Sequence, residues 1–403
     1  MSFEIPLTKP FINEEVKQKV CEVLESGMLT EGTVTQDLEK QFEKYLGCSH
    51  AIAVTSCTTG LEVALRALGI GAGDEVIIPD YTYPATAHVV DIVGAKTILV
   101  DIDPTTLNID YTALEKAITL KTKAVIPVSL FGNPLNYDRL NEIRLAAKKK
   151  FDQIPSNPTF PNQPAFYIIE DAACALGSDF NRRKVGGPQN ETLPDIAVFS
   201  LHPRKFITTG EGGILTTENL EWAKWIRSYT HFGTDNSESR LTTEFIRTGT
   251  NYKLSNILAA VGSVQMQQID KLLSHRRKQV EHYRKLISAL KLGKIILPQT
   301  TQGGTHSYQS FCVLIENRNQ VMQKMRSEKI EVQIGTYSLH KHRAFIENTN
   351  CHFHNSIHQG LNKGFPNFPG SEYAFDHCLT LPLFHSLTEG EQERVIRSLQ
   401  KFI

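Results

Sequence analysis

The sequence predicts an α/β protein with a mostly parallel central sheet flanked by helices. Two observations carry this prediction. Short apolar runs alternate with segments whose apolar residues recur at helical spacing, and the runs are apolar throughout instead of at every second position. These runs lie at residues 51–54, 76–78, 98–100, 124–128 and 167–169. Strands that are apolar on both faces and separated by helices are typical of a sheet covered on both sides.

The first helices are predicted from their end signals as well as their spacing. Apolar residues recur helically between Asn13, which can cap the start, and Gly27, which can adopt the left-handed stop. Leu38 and Phe42 belong to a second helix that ends at Gly47. A strand, a polar turn at 55–60 and a third helix, which closes at residue 69, follow in that order.

The polar turn at 55–60 is the first candidate binding site. Free N–H groups at a helix start favour an anion, so a phosphate could bind there, and an ordinary hydroxyl cap explains the turn equally well. The glycines at 69–73 precede a strand instead of leading from a strand into a helix. We therefore interpret them as a helix end and a tight turn, not as a dinucleotide motif.

Length and composition bound the domain count and the partners. A chain of 403 residues exceeds one usual core, so two domains are expected. A long helical segment around 257–290 separates two parts of different character, which predicts a large domain at 1–255 and, at 256–403, a long connecting helix with a small C-terminal α/β domain. Residues 148–166, rich in lysine and proline, predict a surface excursion. Lys+Arg and Asp+Glu both total 43, which argues against nucleic acid and membrane partners and favours a small-molecule substrate.

The expected compartment is the cytoplasm. The N-terminal residues lack the pattern of a secretory signal, and we find no run of about 18 apolar residues. Seven cysteines without a CxxC pair indicate reduced thiols instead of a disulfide framework.

Three charged residues have a context that suggests chemistry. Glu170 and Asp171 directly follow an apolar run, at the sheet edge where open α/β folds bind ligands. A buried carboxylate there requires a cationic partner, and a solvated loop acid is the alternative. Lys205 precedes a glycine-rich polar turn and is a candidate Schiff-base amine, although most lysines are surface residues.

Histidines suggest a competing hypothesis. Cys351, His352, His354 and His358 could be read as metal ligands, but their spacing is not a clean zinc pattern, and a polar surface loop explains them better. We therefore predict no metal site. A metal-binding module and a non-catalytic regulator on the same fold remain alternatives to an enzyme.

Several segments together resemble one enzyme family over nearly the whole chain. They are LTEG at 29–32, SCT at 56–58, TYPAT at 82–86, EDAA at 170–173, SLHPRK followed by TTGEGG at 200–213, GTNYKL at 249–254, AAVG at 259–262 and LPL followed by LTE at 381–389. On these motifs the sequence resembles the DegT/DnrJ/StrS family of sugar aminotransferases, which depend on pyridoxal phosphate and have fold type I.

The resemblance implies that the large domain at 1–255 binds a cofactor, and it implies how that cofactor would be held. Lys205 would bond covalently to pyridoxal phosphate, Asp171 would keep the pyridine nitrogen protonated, and Tyr83 would stack on the ring. Thr58 and Ser200 would hold the phosphate. A lysine that moves protons near neutrality requires a lowered pKa, which desolvation and the adjacent cofactor would cause.

The resemblance implies three further cofactor contacts, at Cys57, Asn251 and Cys174. At Cys57 and Cys174 this sequence departs from the family pattern. Amides near Cys57, where the family commonly has glycine, would add to the phosphate site. Asn251 would reach the phosphate from a partner subunit, which implies a homodimer with shared active sites. Cys174 stands where the family usually has Gln or His on the cofactor's phenolic oxygen, and a thiol is a weaker donor.

The implied reaction moves an amino group, by family analogy from glutamate, through pyridoxamine phosphate to a nucleotide-linked keto-sugar. A 4-keto-6-deoxyhexose is the expected sugar, and the amino sugar would serve lipopolysaccharide or a related glycan. Thr30, His202 and Tyr337 are the candidate substrate contacts. Lys205 argues against the dehydrating branch of the family, which has His there. A free keto-cyclitol or another keto compound is the alternative substrate.

Overall fold

The computed structural model describes residues 3–151, 166–189, 194–235, 241–290, 293–354 and 367–403. Most of the excursion predicted at 148–166 lies outside these residues. The strands among them are β1 (His50–Val54), β2 (Glu75–Pro79), β3 (Tyr81–Thr82), β4 (Lys96–Val100), β5 (Thr122–Val125), β6 (Tyr167–Asp171), β7 (Asp179–Phe180), β8 (Arg183–Lys184), β9 (Ile196–Ser200), β10 (Gly213–Thr217), β11 (Gly304–Thr305), β12 (Phe311–Leu314), β13 (Gln333–Ile334), β14 (Tyr337–Ser338), β15 (Cys351–Phe353) and β16 (Cys378–Leu381).

Helices cover both faces of the eight-stranded sheet that the larger group of these strands forms. The described helices are α1 (Glu14–Ser26), α2 (Thr33–Leu46), α3 (Cys57–Ala67), α4 (Ala85–Ile92), α5 (Tyr111–Ala117), α6 (Tyr137–Phe151), α7 (Leu220–Thr230), α8 (Asn256–Gln267), α9 (Ile269–Ala289), α10 (Arg318–Ser327), α11 (Arg343–Ile346), α12 (Pro369–His377) and α13 (Glu389–Phe402). None of the helices just named is long and apolar enough to cross a membrane.

The central sheet has eight strands in the order β1-β10-β9-β6-β5-β2-β4-β15. Every neighbouring pair from β9 to β15 is parallel, whereas β10 runs antiparallel to both β1 and β9. Each of the five apolar runs coincides wholly or in part with a strand of this sheet, although β5 ends at Val125, within the run at 124–128. The predicted α/β fold with a mostly parallel sheet is therefore confirmed.

Successive strand residues face two different apolar clusters. Ile77 belongs to a cluster with Phe42 of α2, and its neighbour Ile78 belongs to a cluster with Leu61 of α3. Because side chains alternate across a strand, the two clusters lie on opposite faces of the sheet. This two-sided burial explains why the strands are apolar at every position.

The predicted helix ends are also observed. The Asn13 side chain accepts from the Val16 backbone N–H at 3.0 Å. Gly27 and Gly47 adopt left-handed φ angles of 69° and 72° at the ends of α1 and α2. Gly69 and Gly73 also have positive φ values in the turn between α3 and β2, as a helix end and a tight turn require.

A second, smaller sheet lies in the C-terminal part of the chain. It has the order β12-β16-β13, and a third apolar cluster joins it to α9, α10 and α13. Ile5, near the N-terminus, belongs to this cluster and forms a parallel bridge with Ile330. The division into 1–255 and 256–403 stays a prediction. It would place Ile5 in the large domain, although Ile5 packs in the C-terminal cluster.

The prediction of one long helix around residues 257–290 is wrong in one respect: the structure has two helices there, α8 and α9, which are divided at Gln268. The two helices have different neighbours. α8 packs against α1 and α2, whereas α9 packs against α13 and contributes Val280 and Tyr283 to the C-terminal cluster. Gln268, with φ −109° and ψ 10°, interrupts the regular helix between these two sets of neighbours.

Candidate active site

A cavity of about 520 Å³ lies where β6 and β9 end and α3 begins. This is the edge of a parallel sheet at which α/β proteins bind ligands. Most of the residues that the sequence singles out line it. They are Cys57, Thr58, Tyr83, Asp171, Cys174, Ser200, His202 and Lys205.

The turn at 55–60 provides both a helix cap and cavity-lining residues. Ser56 is the N-cap of α3: its hydroxyl accepts from the Thr59 N–H, and the Thr59 hydroxyl accepts from the Ser56 N–H, each at 3.1 Å. The hydroxyl-cap interpretation is therefore right for Ser56. Cys57 and Thr58 occupy the first turn, where N–H groups have no helical partner, and both line the cavity.

Two adjacent carboxylates at the end of β6 point to opposite sides. Glu170 is fully buried and accepts hydrogen bonds from Ser129 and, at 2.9 and 2.8 Å, from the Tyr137 hydroxyl. Burial raises the pKa of Glu170 to about 7, against the opposing effect of those bonds. Asp171, not Glu170, lines the cavity.

Asp171 is a buried carboxylate held by neutral donors. Its Oδ2 accepts from the Thr86 hydroxyl at 2.8 Å, and its Oδ1 accepts from the Ala173 N–H at 3.2 Å and faces the Cys57 thiol at 3.9 Å. Burial raises the pKa of Asp171, and these bonds and the charge of Lys205 oppose the rise. A cation in the cavity beside the Asp171 carboxylate would offset the cost of burying its charge.

Thr86 is a site residue that sequence reasoning missed. It lies in the first turn of α4, within the TYPAT segment at 82–86, and its hydroxyl also bonds to Thr82 at 3.1 Å. The segment gave a signal, but nothing in it indicated that Asp171, 85 positions away, is the acceptor.

Lys205 lies beside a thiol. Its Nζ is 3.1 Å from the Sγ of Cys174, and both side chains line the cavity. Burial lowers the pKa of Lys205, but Cys174, Cys57 and Asp171 together outweigh burial and raise it above its ordinary value. The lowered pKa expected beside the cofactor stays a prediction, because in the chain without cofactor Cys174, Cys57 and Asp171 outweigh desolvation.

Besides Ser200 and Lys205, three polar residues of the 200–213 segment line the cavity. His202 is half-buried, its Nε2 lies 3.8 Å from Glu211, and burial lowers its pKa. Arg204 and Glu211, which the sequence reasoning did not assign, also line the cavity. The segment therefore contributes both signs of charge.

The other two candidate substrate contacts, Tyr337 and Thr30, do not line the cavity. Tyr337 lies next to a residue that does: its ring centroid is 6.3 Å from that of Tyr83, which is 66% exposed. Tyr337 pairs with Thr82 where β14 meets β3, so it adjoins the cavity through Tyr83. Thr30 is exposed, and its carbonyl accepts from the Asn256 N–H at 3.2 Å.

Asn251 is exposed and does not cap a helix. It forms an antiparallel bridge with His231, and the N-cap of α8 is Ser255, whose hydroxyl accepts from the Leu258 N–H at 3.3 Å. The simplest role that its position suggests in a single chain, a helix cap, is therefore absent. In one chain Asn251 is not among the residues that line the cavity.

The histidine hypothesis finds no support in the described part of the chain. Cys351 and His352 belong to β15, an edge strand that pairs with β4, and Cys351 is buried. His358 lies outside the described residues. Among those described, no three His, Cys, Asp or Glu side chains are grouped so that they could hold a metal ion.

The cavity fits pyridoxal phosphate in its chemistry. A primary amine, Lys205, and a buried carboxylate, Asp171, lie in one cavity. The first turn of α3 and the hydroxyls of Thr58 and Ser200 supply neutral donors for a phosphate. Burial of Asp171 against neutral donors leaves it suited to a protonated ring nitrogen.

Comparisons with known proteins agree over the full length. The chain is 31% identical to MJ1066 from Methanocaldococcus jannaschii over 412 aligned positions, which cover 99% of this chain and 97% of that protein. Spr1654 from Streptococcus pneumoniae, assigned as a sugar aminotransferase and solved in its PMP form, superimposes with a TM-score of 0.88 at 28% identity, covering 99% of this chain and 98% of that one. The aminotransferase TlmJ from Streptoalloteichus hindustanus gives 0.83 at 26% identity, covering 98% of both.

A match to one protein family agrees with these similarities in sequence and structure. The sequence model of the DegT/DnrJ/EryC1/StrS aminotransferase family matches residues 10–400. The same Spr1654 was also solved in its PLP form, with a TM-score of 0.86. The chain belongs to the DegT/DnrJ/EryC1/StrS family and is a pyridoxal-phosphate-dependent aminotransferase of fold type I.

Proposed function

We propose that this aminotransferase moves an amino group from glutamate to the keto carbon of a nucleotide-linked sugar, with a 4-keto-6-deoxyhexose as the sugar. The observation that carries the proposal is the joint presence of Lys205 and Asp171 in one cavity at the sheet edge. The likeness to Spr1654, a protein assigned to sugar substrates, supports the substrate class. The amino sugar would serve a surface polysaccharide such as lipopolysaccharide.

In this proposal each cavity residue has one task. Pyridoxal phosphate, when bound, supplies an electron sink for the carbon that loses its proton. Lys205 would hold the cofactor until the amino group of the donor takes its place, and its freed Nζ would then move that proton. Asp171 would keep a proton at the ring nitrogen. A cation beside Asp171 would also cancel one of the charges that raise the pKa of Lys205, which favours the neutral amine needed for proton transfer.

The remaining cavity residues bind and orient. Tyr83 would stack on the ring, while Thr58, Ser200 and the amides of the α3 start would bind the phosphate. His202, Thr30 and Tyr337 are proposed to contact the substrate. The proposed compartment is the cytoplasm, because unpaired thiols such as the buried Cys57 persist in reducing conditions.

A substrate panel tests the proposed function. The enzyme loaded with pyridoxal phosphate would be incubated with glutamate and either nucleotide-linked keto-sugars or free keto-cyclitols, and the products would be identified by mass. We expect an amino product only from a nucleotide-linked sugar. Amination of free keto-cyclitols alone would overturn the proposed substrate class and leave the aminotransferase assignment intact.

Replacing Cys174 by Gln is expected to preserve or improve cofactor retention. An amide is a stronger hydrogen-bond donor than a thiol, so it would serve the cofactor's phenolic oxygen better. Cys174→Ala, which removes the thiol and adds no donor, is the matched control and is expected to release cofactor faster than Cys174→Gln. Cofactor release is followed by absorbance after dilution. Complete loss of binding in Cys174→Gln would contradict the proposed contact.

We also propose that the active enzyme is a homodimer in which each Asn251 completes the partner's phosphate site. Asn251 is exposed on the single chain and does not line its own cavity. Apolar side chains near it are exposed too: Phe232 is 48% exposed and Phe245 73%. The Phe232 N–H donates to the Thr250 carbonyl at 2.9 Å, next to Asn251, and Phe245 bridges with Thr234, so these residues lie in neighbouring segments. Burial of these apolar side chains against a second chain would remove apolar area from water.

Mixing two inactive variants is expected to restore activity. Asn251→Asp places a negative charge against the phosphate, and Lys205→Ala lacks the amine. If Asn251 acts across the interface, a heterodimer has one site with both changes and one site with neither. The measurement is turnover after subunit exchange, with heterodimer formation verified by mass. Exchange without any recovery would mean that each site is built within one chain.

A further inference from the structure

The backbone on both sides of Lys205 is held by one side chain from a distant part of the sequence. The Oε1 of Gln309 accepts from the Phe206 N–H at 3.1 Å, and its Nε2 donates to the Arg204 carbonyl at 2.7 Å. Gln309 is buried. One primary amide therefore pairs with the two backbone groups that flank Lys205.

The residue type suits this task. A glutamine amide carries an acceptor and a donor side by side, so it can pair with a backbone N–H and a backbone C=O at once. Glutamate has the acceptor without the donor when ionised, and leucine has neither. An unpaired buried N–H or C=O is costly, so the pairing by Gln309 also fixes where these backbone groups can lie.

Gln309 is itself anchored by a buried arginine. Arg276 donates from its Nη2 to the Gln309 carbonyl at 2.8 Å, and it also donates to the carbonyls of Tyr308 and, at 3.3 Å, Leu383. Its guanidinium carbon lies 5.5 Å from the centre of the Phe206 ring. Burial lowers the pKa of Arg276 to about 9. The same guanidinium therefore contacts the Gln309 backbone and the side chain that follows Lys205.

The segment that carries Gln309 also reaches the other side of the amine. The Ser307 hydroxyl bonds to the Cys174 carbonyl at 3.4 Å, and the Ser307 N–H donates to the Gly132 carbonyl at 3.2 Å. Cys174 is the residue whose Sγ lies 3.1 Å from the Lys205 Nζ. Residues 307–309 thus connect the backbone of Lys205 with the turn that contacts its amine.

We propose that Gln309 is a positioning residue for Lys205: by pairing with the Arg204 carbonyl and the Phe206 N–H, it holds the lysine where its amine can reach the cofactor. This inference rests on the proposed role of Lys205 in the reaction. Loss of the pairing would leave the lysine attached to a mobile backbone. A misplacement of about 1 Å at a reacting group can cost about 100-fold in rate.

The first test uses the chain without cofactor. Gln309→Leu removes both hydrogen bonds, and Gln309→Glu keeps an acceptor for the Phe206 N–H. Gln279→Leu is the matched control, because Gln279 is also buried and bonds at 2.9 Å to the carbonyls of Phe384 and Leu387. The readout is hydrogen exchange of the Phe206 amide. We expect faster exchange in Gln309→Leu, and parental exchange in Gln309→Glu and Gln279→Leu.

The second test follows the rate at which the visible absorbance of lysine-linked cofactor appears, together with turnover. Gln309→Leu is expected to be slower than Gln279→Leu in both measurements, although the two variants lose comparable thermal stability. Unchanged hydrogen exchange of the Phe206 amide in Gln309→Leu would overturn the inference. Faster exchange would overturn it too if Gln309→Leu captured cofactor and turned over at the same rates as Gln279→Leu. If instead Lys205→Ala kept parental cofactor capture, the proposed function would fail while the exchange result would still stand.

Discussion

Lys205→Ala is expected to fold, to lose the visible absorbance of lysine-linked cofactor and to lose steady turnover. The variant has no amine in the place where Lys205 contacts Cys174. Loss of a positioned proton-transfer group alone costs about 10²–10⁴-fold in rate, and the loss of the covalent link adds to it. Absorbance spectra and turnover with glutamate and a keto-sugar measure both effects.

Lys205→Arg is the control for charge at this position. It keeps a cation beside Asp171, but a guanidinium stays protonated and cannot take the amine's place. We expect it to be as inactive as Lys205→Ala. Parental turnover in either variant would show that another group carries the reaction.

Asp171→Asn is expected to fold and bind cofactor and to lose about 10²–10³-fold in rate, the size of effect seen when one preorganised charge-stabilising group is removed. A neutral amide cannot stabilise a proton on the ring nitrogen as a carboxylate can. Asp171 also accepts from Thr86 and from the Ala173 N–H, and an amide oxygen can keep one of these bonds. The measurement is the single-turnover rate with glutamate.

The neighbouring carboxylate provides the matched control. Glu170→Gln changes an equally buried acid that bonds to Ser129 and Tyr137, away from the cavity lining. Burial raises the pKa of Glu170 to about 7, so a neutral side chain there resembles a state that it already populates near neutrality. We expect a small effect on rate. Equal rates in Asp171→Asn and Glu170→Gln would remove Asp171 from the proposed mechanism.

Local patterns predicted the elements of the fold well, because strand and helix periodicity depend on neighbours within a few residues. The five apolar runs, the stops at Gly27 and Gly47 and the cap at Asn13 are all observed. The break at Gln268 was missed because α8 and α9 are each regular helices. Only their different packing partners point to the interruption.

The candidate site was predicted as a set of residues, and its internal geometry was not. Asp171 and Lys205 were identifiable from their places after strands and beside a polar turn. The contact of Thr86 with Asp171 spans 85 positions, and that of Gln309 with Phe206 spans 103. Spacing carries no information about such pairs. The net direction of the Lys205 pKa likewise depends on thiols and a carboxylate that the fold brings together.

The central claim is that Lys205 holds the cofactor in this cavity, and chemical reduction tests it most directly. Treatment of the enzyme loaded with pyridoxal phosphate with borohydride makes a lysine–cofactor link permanent, and digestion followed by mass spectrometry locates it. The account predicts that the added mass lies on the peptide containing Lys205 and disappears in Lys205→Ala. Added mass on another lysine, with the Lys205 peptide unmodified, would contradict the account.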